Sequence, residues 1–183
     1  IGRIDKVHAA MLSSGISTDS LQIVNAANSE HVDLYTNILF EKLSRKGFLK
    51  RDCERLIKTD RNHFASAMLE AGHADSLMTG FTRGYQKSLS DISRVSSKKD
   101  DAVIFSTSAI VAGNNTVFIA DTSINENPSS NDLAHFAIQT AKTVEKFGFT
   151  PRVAFVSYSN FGSRTGEDNA KIQEAISILD KQN

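Results

Sequence analysis

The stretch that most constrains this chain runs from 115 to 163, NTVFIADTSINENPSSNDLAHFAIQTAKTVEKFGFTPRVAFVSYSNFGS. Two apolar runs, 115–124 and 151–159, flank a segment with helical spacing at Leu133, Phe136, Ala137, Thr140 and Val144. Ser129-x-x-Asp132 resembles a capping box at the helix start, just after Pro128, and Gly148 is a stop. The order is strand, acidic turn, capped helix, strand, polar loop, which predicts a βαβ unit. Its strands are expected to be parallel, buried neighbours joined by a right-handed crossover.

The rest of the chain supports an α/β reading. Helices are expected over 3–13, 31–47, 50–59, 61–72 and 82–95, and a last one from about Glu167. Gly15, Gly47 and Gly72 stand where three of them should stop, and Asp60 can cap the fourth. LQIVNAA (21–27) and ADSLMTG (74–80) read as short strands. Segments 102–112 and 115–124 read as strands around a Gly113-Asn114 hairpin turn. SSKKDD (96–101) has no apolar residue and reads as a linker. The expected architecture is mostly parallel sheets flanked by helices, in two α/β subdomains, 1–96 and 97–183.

Lys+Arg and Asp+Glu are 21 each, so nothing in the net charge calls for nucleic acid or an anionic membrane as partner. Cys53 is the single cysteine, which rules out an internal disulfide and fits a reducing cytoplasm. No apolar run is long enough to span a bilayer. The chain opens at Ile1 without methionine and closes on a helix with no following strand, as expected of a fragment truncated at both ends.

Three segments carry candidate chemistry, each predicted to leave the carboxyl end of a strand, where open α/β sheets collect ligands. In SYSNFGSRTG (157–166), Ser159, Asn160 and Ser163 offer donors, Gly162 allows close backbone approach and Arg164 adds a cation. In ADTSINENPSSN (120–131), Asp121 and Asn125 either contact a ligand or fold the turn through Asx hydrogen bonds. In TGFTRGYQK (79–87), Gly80 loosens the backbone and Arg83 suits a phosphate, although no GK[ST] makes this a P-loop. His8, His31, His63, His73 and His135 show no metal-ligand spacing and read as surface or helix-face residues. Nothing marks Cys53 as a nucleophile, and no GxGxxG or GxSxG occurs.

KTDRNHFASAMLEAGHADSLMTGF (58–81), ADTSINENPSSNDLA and RVAFVSYSNFGS, in that order, resemble the phosphate acetyl/butyryltransferase (phosphotransacetylase) family. Arg61-Asn62 and Asn160-Phe161 are most similar to its branch fused to the C-terminus of bacterial NADP-dependent malic enzymes. The resemblance implies the phosphotransacetylase (isocitrate/isopropylmalate dehydrogenase-like) fold, with a cleft between two subdomains that takes acyl-CoA or acyl phosphate. It strengthens the 157–166 loop as a ligand site and implies no catalytic residue in this chain; the topology of the three segments gives Ser159, Asn160, Gly162, Ser163, Asp121, Asn125, Gly80 and Arg83 as the candidate ligand-binding set. The Ser-Arg and Asp motif of active transferases is not matched, and two of their arginines align near Leu43 and Ser90, with Arg45 and Arg94 close by. The expected role is therefore regulatory acetyl-CoA binding and homo-oligomer assembly, as a dimer or higher. The NADP and Mg or Mn chemistry of malate oxidation would lie elsewhere in the parent. The alternative is part of an active phosphate acetyltransferase.

Overall fold

A computed structural model describes residues 1–97, 103–159 and 166–181. The chain divides into two compact units, Ile1–Ser97 and Lys98–Asn183. The candidate linker 96–101 lies largely outside the described residues.

The first unit is helical: α1 (Ile4–Ser13), α2 (Val32–Leu43), α3 (Lys50–Thr59), α4 (Arg61–Glu70) and α5 (Tyr85–Ser93). Single 3₁₀ turns occupy Thr18–Ser20, Ala26–Asn28 and Ser44–Lys46. Its core is apolar side chains from α2, α3 and α4, with Tyr35, Leu39, Leu43, Cys53, Ile57 and Phe64 essentially unexposed. Tyr35 packs edge-on against Phe64 at 5.0 Å, and its hydroxyl meets His73 Nδ1 at 2.8 Å. Lys42 binds the end of this unit to its middle. Its ammonium donates to Glu70 Oε1 at 2.5 Å, to Ser97 Oγ at 2.7 Å and to the Val95 carbonyl.

The expected glycine stops are present. Gly15, Gly47, Gly72 and Gly148 have φ of 71, 86, 74 and 81°. At each, the residue after the glycine donates back into the helix: Ile16 to Met11 O, Phe48 to Leu43 O, His73 to Met68 O and Phe149 to Val144 O. This six-to-one bond requires a left-handed residue between the helix and its continuation, and glycine adopts that conformation without a Cβ clash.

The second unit holds a hairpin, β1 (Thr107–Ala112) and β2 (Asn115–Ala120), with α6 (Ser130–Lys146) and α7 (Glu167–Asp180). The strands pair antiparallel from Thr107↔Ala120 to Ala112↔Asn115, so Gly113-Asn114 is the two-residue turn that the sequence predicts. Ser129 caps α6: its hydroxyl accepts from Asp132 N, while Asp132 Oδ2 accepts from Ser129 N at 3.0 Å. Phe118 of β2 faces Phe147 and Phe149 beyond α6, at 5.5 and 6.2 Å between ring centroids. Ser130 Oγ of α6 donates to Glu174 Oε2 of α7 at 2.6 Å.

The expected mostly parallel sheet is not formed among the described residues. The sheet there is the two-stranded antiparallel hairpin. Segments 21–27, 74–80 and 151–159 carry no strand, and 21–27 instead closes into the 3₁₀ turn at Ala26–Asn28. Expected burial fails with it: Met78 and Phe81 are fully exposed, and Val153 and Val156 are 55% and 91% exposed. An apolar run becomes a strand only when a neighbour supplies its ladder, and these three have no paired neighbour among the described residues.

Candidate functional site

The most developed polar site lies in the first unit, where α3 gives way to α4. Asp60 ends one helix and caps the next, with Oδ1 accepting from Asn62 N at 2.9 Å and His63 N at 3.2 Å. Oδ2 is left over, and Arg83 fills it with one guanidinium nitrogen at 2.6 Å. The same nitrogen reaches Asp91 Oδ2 at 3.2 Å, and Lys87, one turn before Asp91 on α5, donates to Asp91 Oδ1. Asp91 has no exposed surface, so these two cations compensate a carboxylate removed from water.

His63 is also fully buried, a correction to its reading as a surface or helix-face residue. Its Nδ1 sits 3.1 Å from Asp60 Oδ1, off the line of a well-formed hydrogen bond, and Nε2 has no partner among the described residues. Asp60, His63 and Asp91 bring ligand-type atoms within 4.8 Å of one another. The cation bridging the two carboxylates is the Arg83 guanidinium.

Burial pushes the Asp60 carboxyl up, but the Arg83 hydrogen bond and the contacts from His63 outweigh it and hold it at about 2, down from 3.8. A carboxylate depressed in the folded state stabilises the fold above its unfolded value and loses that contribution as pH falls. Residues 1–97 should therefore lose about 2 kcal/mol between about pH 4 and pH 2. Acid unfolding of Asp60→Asn should lack that component; identical acid midpoints would refute the assignment.

Gly80 and Arg83 line one pocket of about 270 Å³, together with Arg61, Asn62 and Thr79. Gly80 has φ of 112°, a conformation that side chains rarely adopt. Asn62 is buried; its Oδ1 accepts from Thr79 Oγ1 at 2.7 Å, and its Nδ2 has no partner among the described residues. Two arginines and the free Asn62 amide donor form an environment suited to an anion, while the Thr79 hydroxyl proton is spent on Asn62.

In the second unit, Asp121 is committed to its own turn. Oδ1 accepts from Ser106 N at 2.9 Å, Ser123 N at 3.2 Å, Ile124 N at 3.3 Å and the Ser106 hydroxyl. Oδ2 accepts from Asn125 N at 2.8 Å and Asn125 Nδ2 at 2.6 Å. Burial acts upward on this carboxyl, but the Ser106 and Asn125 bonds dominate and hold it far below the usual carboxylate range. Asn125 Nδ2 also donates to Ile104 O at 2.9 Å. Of the two readings of this turn, the geometry supports Asx folding, and both side chains are spent on it. Ser159 N donates to Ser157 Oγ at 3.0 Å, and Ser157 Oγ donates to Asn169 Oδ1 at 2.7 Å, joining the start of the polar loop to α7. Asn160, Gly162, Ser163 and Arg164 lie outside the described residues.

The structure thus gathers Gly80 with Arg83, and Asp121 with Asn125. Sequence reasoning missed the sites of Asn62, His63 and Asp91. The one readable signal was the Lys87–Asp91 spacing of one helical turn.

The family described as phosphate acetyl/butaryl transferase matches residues 1–183. A probable NADP-dependent malic enzyme of Rickettsia prowazekii is 42% identical over 98% of this chain and 24% of its own length. An NADP-dependent malic enzyme of Rhizobium meliloti is 40% identical, over 100% of this chain and 24% of its own. A phosphate acetyltransferase of Helicobacter pylori is 25% identical, over 99% and 35%. The chain thus spans about a quarter of the malic enzymes that it matches. Among solved structures, the EutD phosphotransacetylase from Staphylococcus aureus superposes with a TM-score of 0.79 at 24% identity, covering 99% of this chain and 55% of that one. A phosphotransacetylase from Streptococcus pyogenes gives the same TM-score and identity, over 100% and 56%. By its match over the whole length, and by the fold it shares with two phosphotransacetylases, this chain belongs to the phosphate acetyl/butaryl transferase family.

Proposed function

We propose that the chain is the phosphotransacetylase-like region of an NADP-dependent malic enzyme. In this reading it binds acetyl-CoA as an effector and helps to assemble the enzyme, without transferring acyl groups itself. The observation that carries the ligand part is the Gly80–Arg83 pocket, where Arg61, Arg83 and the unpartnered Asn62 amide stand around a space that suits a phosphate. Identities of 42% and 40% to malic enzymes support the parent. Leu43, near which the resemblance aligns an arginine of active transferases, is 1% exposed in the apolar core and supplies no cation, although Arg45 stands two residues on. Without such cations, charge developing on a transferred phosphoryl group lacks its stabiliser.

The described residues offer NADP or its divalent metal no evident seat: the sequence has no GxGxxG fingerprint, and Arg83 already bridges the Asp60 and Asp91 carboxylates. That chemistry belongs to the rest of the proposed parent, in a cytoplasmic enzyme. No helix among the described residues is long and apolar enough to cross a membrane.

Assembly is assigned to residues 97–183, as a homodimer or larger homo-oligomer. Exposed apolar side chains there include Ile110, Val111, Val117 and Ile176, which association would cover. The second reading, acyl transfer between CoA and phosphate, is favoured by the similarity to the Helicobacter pylori phosphate acetyltransferase.

Calorimetric titration of the full-length protein with acetyl-CoA should show saturable binding. A thioester absorbance assay with acetyl phosphate and CoA should show no transfer. An enzyme-dependent transfer rate would replace the first reading by the second, and absence of binding would remove the effector. A monomer by light scattering at micromolar concentration would remove the assembly role.

A further inference from the structure

We propose that a separate pocket of the first unit, between α1 and the α3–α4 junction, binds a small amphiphilic anion: an apolar body with a carboxylate or phosphate head. The pocket measures about 580 Å³, within the size range of small-molecule sites. Val7 and Met11 of α1 line it with apolar surface, and Arg3, Lys6, Lys58 and Arg61 supply its charge. Among the described residues, no aspartate or glutamate lines it. Over the whole chain acids and bases balance at 21 each, so a lining with cations from three helix boundaries and no acid is a local departure.

These cations are not fully neutralised by neighbours. Arg3 stands 3.7 Å from Asp5 with both side chains mostly exposed, a pairing worth little in water. Lys58 pairs with Glu54 at 2.5 Å. Lys6 and Arg61 have no ion-pair partner among the described residues. Their like charges raise the potential over an apolar floor, where the low dielectric of the wall strengthens attraction for an anion.

The walls are held in place. Gly2 N donates to Val24 O at 2.9 Å before α1, and Ile16 N donates to Met11 O at 2.9 Å after it. Ile16 and Met11 both line the pocket, so the glycine closure of α1 shapes one side of it. A cavity held open in this way spends little ligand affinity on ordering its walls. A purely apolar ligand would leave the rim cations unused, and a metal ion would meet four like charges. An anion on an apolar stem fits both parts of the lining.

This inference does not rest on the acetyl-CoA reading. Arg61 lines both pockets, whereas Lys6 lines only this one, so Lys6 is the residue to vary. The test is calorimetric titration of the full-length protein with octanoate, octyl phosphate, octanol and octylammonium. Octanoate or octyl phosphate should bind saturably, and the tighter of the two identifies the head group. Octylammonium should not bind, and added salt should weaken the anions. Lys6→Glu should weaken anion binding by about tenfold or more, as loss of a charged hydrogen bond does, while Lys6→Arg retains it. Both substitutions are on the exposed face of α1 and should leave the melting temperature unchanged. Equal binding of octanol or octylammonium, no binding of either anion, or unchanged affinity in Lys6→Glu would overturn the proposal. Acetyl-CoA titrated into Lys6→Glu should bind as in the wild type, so failure of one site is distinguishable from failure of the other.

Discussion

Replacing Arg83 with alanine should destabilise residues 1–97 by about 3 kcal/mol, because it strips a buried carboxylate of one of its two cations. Asp91 would keep only Lys87, whose side chain is 60% exposed, and Asp60 would lose the 2.6 Å bond to its outer oxygen. The measurement is amide hydrogen exchange. Protection across α4 and α5 should fall by about a hundredfold, while β1 and β2 keep theirs. Removing Asp91 as well should recover part of the loss, since the double variant no longer buries an uncompensated charge. Unchanged protection in Arg83→Ala would show that the clamp carries no stability. A loss of acetyl-CoA affinity in this variant would not by itself identify Arg83 as a ligand, because the same side chain positions α5 against the start of α4.

In the second unit the largest effect is expected at Asp121. Asp121→Asn replaces a carboxylate that accepts from Ser106, Ser123, Ile124 and Asn125 with an amide that turns N–H donors toward some of the same groups. Hydrogen bonds to a charged acceptor are the strong ones, and the turn should lose about 2–3 kcal/mol. Exchange protection in β1 and β2 should report it. Ser106→Ala, which removes only the hydroxyl arm, should cost about 1 kcal/mol. An Asp121→Asn hairpin as protected as the wild type would mean that the turn is held elsewhere.

What could be read from the sequence was what is decided within a few residues. The glycine closures at 15, 47, 72 and 148, the Asp60 cap and the Ser129–Asp132 box all depend on neighbours along one turn, and all are present. The hairpin at Gly113-Asn114 is local in the same sense. The strand assignments at 21–27, 74–80 and 151–159 fail for the opposite reason. Their apolar runs state a preference, but a ladder partner from elsewhere decides whether a strand forms. The candidate residues divide similarly. Gly80 and Arg83 lie within one turn of chain and do share a pocket. The carboxylates that hold Arg83, Asp60 and Asp91, stand 23 residues before it and 8 after it, and no periodicity links them. His63 was misread because its spacing says nothing about its burial. Asp121 shows that an aspartate in a turn can be saturated by that turn and by Ser106, 15 residues before it.

Lys42 has a mechanical meaning. An ammonium has three protons, and this one gives them to Glu70, to the Val95 carbonyl and to Ser97. Tension on the chain at Ser97 would thus be borne partly by Lys42 and passed into α2, which is seated through Leu39 and Leu43. It would not fall on α5 alone. Strain at the exit of the first unit would be spread over its best-packed helix.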